Sequence, residues 1–118
     1  MHKKQEQKLS WVTDVIVLLN LEEQFDENYN ILDSSPCIDE INAWLKSKEL
    51  GSLKNLSSHM ATGGKMCQSY VYGGSFNYLP IEEFKEFFFS RSWKEPDFVQ
   101  LLLNDEEDMC FTLHQKNA

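Results

Sequence analysis

From Ser10 the chain reads SWVTDVIVLLNL, in which apolar and polar positions alternate before the run becomes almost wholly apolar. Trp11, Thr13, Val15, Val17 and Leu19 fall on one face of an extended segment, the period-two pattern of a β-strand packed on one side. The second half of the strand is apolar on both faces, which places it centrally in a sheet. Residues 22–34 are polar and read as a loop. A helix is then expected to start at Ser35: a serine N-cap, Pro36 at the first helical position, and Asp39 and Glu40 near the positive end of the helix dipole. Ile38, Ile41, Trp44 and Leu45 recur at three- and four-residue spacing as one buried stripe, and Lys46, Lys48 and Gly51 mark the stop.

The second half of the chain gives a weaker strand pattern over 52–58, turn residues at Thr62, Gly63, Gly64 and Lys65, and a second long strand over 66–78. Gly73 and Gly74 interrupt that strand, so the pattern predicts a bulge or a close backbone approach. A helix is expected over 80–92, with Pro80 in its first turn, Glu82 and Glu83 near its start, and Ile81, Phe84, Phe87 and Phe88 on its apolar face; Pro96 prevents its continuation. Two short strands, 98–103 and 109–114, close the chain around the acidic turn at 104–108. The order predicts an α+β fold: a ferredoxin-like βαββαβ unit with an extra C-terminal edge strand, its antiparallel sheet covered on one face by two helices. Residues 1–118 read as one domain, with 1–9 as a flexible N-terminal tail.

Composition fits a folded chain: 42% of residues are apolar and 25% charged, far from the disordered class. The longest apolar run, 15–19, is too short to cross a bilayer, and the N-terminus has no apolar stretch before a cleavage site. The expectation is a cytoplasmic protein without membrane association. Cys37, Cys67 and Cys110 form no CxxC pair, so they read as reduced, semi-buried thiols and suggest neither a disulfide framework nor a zinc ribbon.

Charge sharpens the picture through its distribution. The formal net charge is −8. Residues 21–40 hold seven acids (Glu22, Glu23, Asp26, Glu27, Asp33, Asp39, Glu40) and no Lys or Arg. Residues 95–108 hold six more, Glu95, Asp97, Asp105, Glu106, Glu107 and Asp108, again with no Lys or Arg. Such a field repels nucleic acid and anionic membrane and accelerates encounter with a basic protein. In the expected topology the first segment and the 105–108 turn sit at opposite ends of the sheet.

Catalytic and metal motifs fail one by one. Asp26, Asn28 and Asn30 match the first ligand positions of a calcium loop, but Ile31 stands where its glycine is required and Cys37 where its final glutamate belongs. The 62–65 turn resembles a phosphate loop in composition only. Cys67 with His59 is a conceivable nucleophile and base, one of nine Cys–His pairings, and His2, His59 and His114 lack metal spacing. His114 reads as an exposed-face histidine. No catalytic residue, metal or cofactor is therefore expected. Phe25 and Tyr29 stand apart, because they fall in the acidic loop without periodic apolar partners, the arrangement of a hot spot for a basic partner.

A short acidic α+β chain with no catalytic signature and with loop carboxylates and aromatics clustered in this way resembles the immunity proteins of bacterial toxin systems, such as contact-dependent growth inhibition. The resemblance implies a cytosolic inhibitor that covers the active site of a cognate toxin domain, commonly a basic nuclease. It makes Glu22, Glu23, Phe25, Asp26, Glu27 and Tyr29 the expected contacts, the acids imitating substrate phosphates, with Asp105, Glu106, Glu107 and Asp108 as a secondary surface. The rival reading is a regulatory or housekeeping ferredoxin-like domain that oligomerises or binds a small ligand through its sheet. Oligomeric state stays open at this level.

Overall fold

The computed structural model describes residues 11–60, 63–64 and 68–116. The expected tail, Thr62 and Lys65 of the glycine turn, and Met66 and Cys67 at the expected strand start lie outside them. In chain order the elements are β1 (Val12–Asn20), a 3-10 turn (Leu21–Gln24), α1 (Pro36–Ser47), β2 (Lys54–Asn55), α2 (Ser57–Met60), β3 (Ser69–Asn77), α3 (Ile81–Phe89), a second 3-10 turn (Pro96–Phe98), β4 (Gln100–Asp105) and β5 (Thr112–His114). The strands form one open sheet in the order β2-β3-β1-β4-β5, and every neighbouring pair is antiparallel. The fold is α+β, and it carries a fifth strand and the short α2 beyond a simple βαββαβ run.

β1 occupies the centre of the sheet, as its two apolar faces require. Thr13, Val15, Val17 and Leu19 are all buried, and opposite them stand Phe76, Tyr72 and Tyr70 of β3 and Leu101 and Leu103 of β4. The long helices pack on this face. Ile38, Ile41 and Leu45 of α1 and Phe84 and Phe88 of α3 are fully buried in the same core, each helix contributing one apolar stripe. Glu40 pairs with Arg91 at 3.0 Å and Lys48 with Glu83 at 3.3 Å. The start of α1 therefore meets the end of α3, and the two helices run antiparallel.

Local signals set the ends of α1. Ser35 Oγ accepts from the Ile38 N–H at 3.4 Å, and Pro36 opens the helix; Glu49 and Gly51, both at positive φ, turn the chain away at its end. α3 stops at Phe89 rather than continuing to residue 92. There Ser90 Oγ and Arg91 Nε both donate to the Phe87 carbonyl, and the Trp93 indole donates to that of Phe88, so side chains replace the next turn of helix.

Several expectations change: β4 is Gln100–Asp105 rather than 98–103, because Pro96–Phe98 forms a 3-10 turn, and β5 is only Thr112–His114 rather than 109–114. The 52–58 strand is only Lys54–Asn55, because Asn55 Oδ1 accepts from the Ser57 N–H at 2.9 Å and turns the chain into α2. The glycine pair makes no bulge, since register with β1 is unbroken from Asn77 to Ser69. Close approach is its reason instead: a Cβ on Gly73 would lie 2.9 Å from Leu56 Cδ1, and one on Gly74 would lie 2.9 Å from the Phe76 ring.

Candidate functional site

The 3-10 turn after β1 begins the loop on which the expected contacts lie. Asn20 Oδ1 accepts from the Glu22 N–H at 2.9 Å and caps this turn. Glu22 points outward, whereas Glu23 turns in and is 2% exposed. One Glu23 carboxylate oxygen accepts from the Lys94 N–H at 3.0 Å and the other from the Glu95 N–H at 2.7 Å. Glu23 therefore belongs to the fold rather than to the surface; as an expected contact it is corrected. A buried carboxylate is tolerated when N–H donors surround it, and here it fastens the first β-to-α connection to the second α-to-β connection.

Gln24 is buried beside it and was not singled out by sequence. The Tyr72 hydroxyl donates to Gln24 Oε1 at 2.7 Å, Gln24 Nε2 donates to the Leu32 carbonyl at 3.1 Å, and the Ser35 N–H donates to the Tyr72 hydroxyl at 3.3 Å. Burial raises the Tyr72 pKa above its usual value, opposed by the Ser35 N–H. A neutral phenol thus ties the centre of β3 to the N-cap of α1.

Beyond Gln24 the loop is built on Asp26. Its Oδ1 accepts from the Asn28 and Asn30 N–H groups, both at 2.8 Å. The Asn30 N–H holds the Asp26 carboxyl below its usual value; desolvation opposes it, and the Asn28 N–H and the charge of Lys94 add to the lowering. The three residues with calcium-loop spacing thus form a turn closed on its own amides, and among the described residues no group of acids, histidines or cysteines could hold a metal ion.

The turn presents Tyr29 at its tip. Tyr29 has φ +63° and is 75% exposed, with Ile31 at 55% beside it; Phe25, bridged to Ile31, is half-buried. Glu27 and Asp33 are exposed on the same loop. The segment is base-free in sequence but not in space: Lys94 Nζ donates to the Phe25 carbonyl, and Arg91 engages Glu40 at the start of α1. Both cations come from the connection after α3, leaving Glu22, Glu27 and Asp33 as the outward charges of the loop and Asp39 as one on α1.

The second acidic segment lies elsewhere. Asp105 pairs with Thr13 near the start of β1, whereas the first loop leaves from its end, about 25 Å away along the strand. Asp105 Oδ1 accepts from the Trp11 indole and from Thr13 Oγ, each at 2.7 Å. Glu106 accepts from the Val12 N–H at 2.7 Å, and Asp108 from the Asp105 N–H at 3.1 Å. These acids close the β4–β5 hairpin onto β1, with Glu106, Glu107 and Asp108 exposed.

Of the remaining candidates, Cys67 lies outside the described residues. Cys37 is buried as expected, but Cys110 is exposed. His114 stands opposite Leu101 on the helix-covered face, not on the exposed one; burial and then Lys85 lower its pKa, with Glu82 opposing. No helix among the described residues is long and apolar enough to cross a membrane. Comparison with protein-family models, curated proteins and solved structures finds no match to this chain.

Proposed function

We propose that this chain is a non-enzymatic binding protein, an immunity protein that neutralises a basic toxin domain, in the first instance a nuclease, by covering its active site in the cytoplasm. The observation that carries the reading is Tyr29: a large aromatic, 75% exposed, on a loop whose outward charges are Glu22, Glu27 and Asp33. An exposed aromatic among carboxylates suits a cationic surface, where ring and acids engage Arg and Lys together. Phe25 and Asp26 support the loop from below, and Glu23 anchors it. The acids at 105–108 form a separate secondary surface, too distant to share one compact patch with the first. We read the sheet as a ferredoxin-like plan, β2-β3-β1-β4 under two long helices, to which β5 is added at the β4 edge.

The test is whether a reading frame next to the one for this chain encodes a basic toxin domain, and whether this chain inhibits that domain. Wild-type protein is expected to inhibit its nuclease activity. Reversing Glu22, Glu27 and Asp33 to Lys together should slow association about tenfold or more at low salt, measured by surface plasmon resonance. Unchanged rate and affinity would remove this surface, and failure of the wild type to inhibit would remove the immunity reading.

A further inference from the structure

A cleft of about 320 Å³ opens where the end of β1 meets the start of β4. Asn20, Ser69, Asp97, Gln100 and Gln115 line it, together with Leu18 and Phe98. Strand register gathers these residues on the face that α1 and α3 leave uncovered. Leu18 and Asn20 alternate with the buried Val17 and Leu19 and so face away from the helices. Gln100 stands opposite Leu18 and Ser69 opposite Asn20, Gln115 follows the last residue of β5, and the second 3-10 turn brings in Asp97 and Phe98.

The fold leaves most of these polar groups unused. Among the described residues the side chains of Ser69, Gln100 and Gln115 make no hydrogen bond, and Asn20 engages only its oxygen, which accepts from the Glu22 N–H. Gln100 and Gln115 are half-buried, where a side-chain amide ordinarily finds a partner. Phe98 is 60% exposed, and among the described residues its ring stacks on no other ring and carries no cation. No Lys or Arg of the described residues lines the cleft, so no cation there would hold a phosphate or a carboxylate. Asp97 instead supplies a negative charge, and a carboxylate accepts from several donors at once.

We infer that this cleft is a guanidinium site, and that an arginine side chain of the protein partner fills it. A guanidinium is planar, with N–H donors around its edge and no acceptor. Facing it are acceptors: the Gln100 and Gln115 carbonyl oxygens, the Asp97 carboxylate and Ser69 Oγ. Phe98 adds a ring face on which the cation can lie. A lysine ammonium is a smaller, more strongly hydrated point charge and reaches fewer of these oxygens at once. The cleft shares its end of the sheet with the Tyr29 loop, because Asn20 caps the turn that opens that loop and Asp97 and Phe98 follow Glu95, whose N–H donates to Glu23. The source of the arginine rests on the reading of this chain as a binder of a basic protein; the chemistry of the cleft does not.

The experiment is an NMR titration of the full chain with N-acetyl-arginine N-methylamide, an arginine side chain without free termini. The matching citrulline compound, similar in shape but uncharged, and the matching lysine compound serve as controls. The side-chain amide resonances of Gln100 and Gln115 are expected to shift saturably in the millimolar range with the arginine probe, and either control should bind at least about fivefold more weakly. Asp97→Asn and Gln100→Leu should each weaken the arginine probe at least about threefold, and Phe98→Ala at least about twofold, with the backbone spectrum otherwise unchanged. No saturable shift at Gln100 and Gln115, equal binding of the citrulline compound, or indifference to all three substitutions overturns the inference. Tighter binding of free arginine than of the capped probe would make the ligand the amino acid and overturn its protein source. No toxin enters the titration, so the site can hold where the immunity reading fails, and the reverse.

Discussion

The carboxylate of Glu23 accepts from the backbone N–H of Glu95 at 2.7 Å, fastening the loop after β1 to the loop before β4. Its other oxygen takes the Lys94 N–H, so a single side chain satisfies two amides in a site from which water is nearly excluded. Truncation to Ala leaves both donors without an acceptor. Glu23→Ala should cost about 2–4 kcal/mol of unfolding free energy, whereas Glu22→Ala, one position away and exposed, should stay within about 0.5 kcal/mol. Urea denaturation monitored by tryptophan fluorescence checks both, and equal effects would contradict the assignment of Glu23 to the fold.

That pair also marks where sequence reasoning stops. β1, α1 and α3 were legible because their physics is local: alternation over nine residues, a serine cap followed by proline, aromatics at helical spacing. The outward or inward sense of Glu22 and Glu23 was not, because the Lys94 and Glu95 amides that decide it lie 71 and 72 residues away. For the same reason the 21–40 segment read as base-free. Lys94 and Arg91 reach it only after α3 has packed antiparallel to α1. The separation of the two acidic segments followed only from an assumed topology; the sequence did not show the strand order, and it is the pairing of Asp105 with Thr13 that sets the segments apart. Tyr29 and Phe25 could be singled out as aromatics without periodic partners, but only the turn around Asp26 separates an exposed ring from a half-buried one.

The glycines of β3 and of the turn at 63–64 predict contrasting costs. A methyl group on Gly73 would sit 2.9 Å from Leu56 Cδ1, 3.1 Å from Ile16 Cδ1 and 3.2 Å from the Val15 carbonyl oxygen. Overpacking of that kind is expected to make Gly73→Ala destabilising by about 1–3 kcal/mol. A methyl on Gly63 meets nothing within 4 Å, but φ there is +60°, so Gly63→Ala should cost about 1 kcal/mol from backbone strain alone. Combining Gly73→Ala with Leu56→Ala should recover part of the first loss and none of the second. Thermal melts of the singles and doubles test this.

Alkaline pH should weaken the fold in two steps. Burial, followed by the negative charge of Glu23 and Glu40, raises the Cys37 thiol from 9.0 to about 11, and burial raises Tyr72 as well. Both groups hold their protons more tightly when folded. Their contribution is therefore complete below the unfolded values and is lost as pH rises through the folded ones. Unfolding free energy should fall from about pH 9, more steeply above pH 10, by up to about 2–3 kcal/mol for Cys37. Cys37→Ala should flatten the first step and leave the second. A stability profile that is level to pH 11 in the wild type would contradict it.

At acid pH the sensitive group is Asp26, and the sign reverses. Its pKa lies below the ordinary 3.8 because the ionised form accepts the Asn30 and Asn28 N–H bonds. The order of this turn is therefore complete above the ordinary value and is lost as pH falls through the lowered one. The amide resonances of Asn28 and Asn30 should titrate together with a midpoint under 3.8. Asp26→Asn, which keeps an oxygen acceptor but no charge, should abolish that titration. A midpoint at or above the ordinary value would show that these bonds do not stabilise the carboxylate.

Tyr29 should reveal a conflict between stability and binding. A non-glycine residue at φ +63° strains the backbone, and the ring, 75% exposed, recovers little of that by packing. Glycine adopts the same conformation freely. Tyr29→Gly should therefore leave the fold as stable as the wild type or up to about 1 kcal/mol more so, the relief of the left-handed strain outweighing the glycine's extra freedom when unfolded. The same substitution removes the aromatic anchor proposed for the toxin interface, so affinity should fall at least about tenfold, mostly through faster dissociation. Urea midpoints and surface plasmon resonance on one pair of proteins give both numbers. A loss of stability with unchanged affinity would make Tyr29 a structural residue and move the binding surface away from this loop.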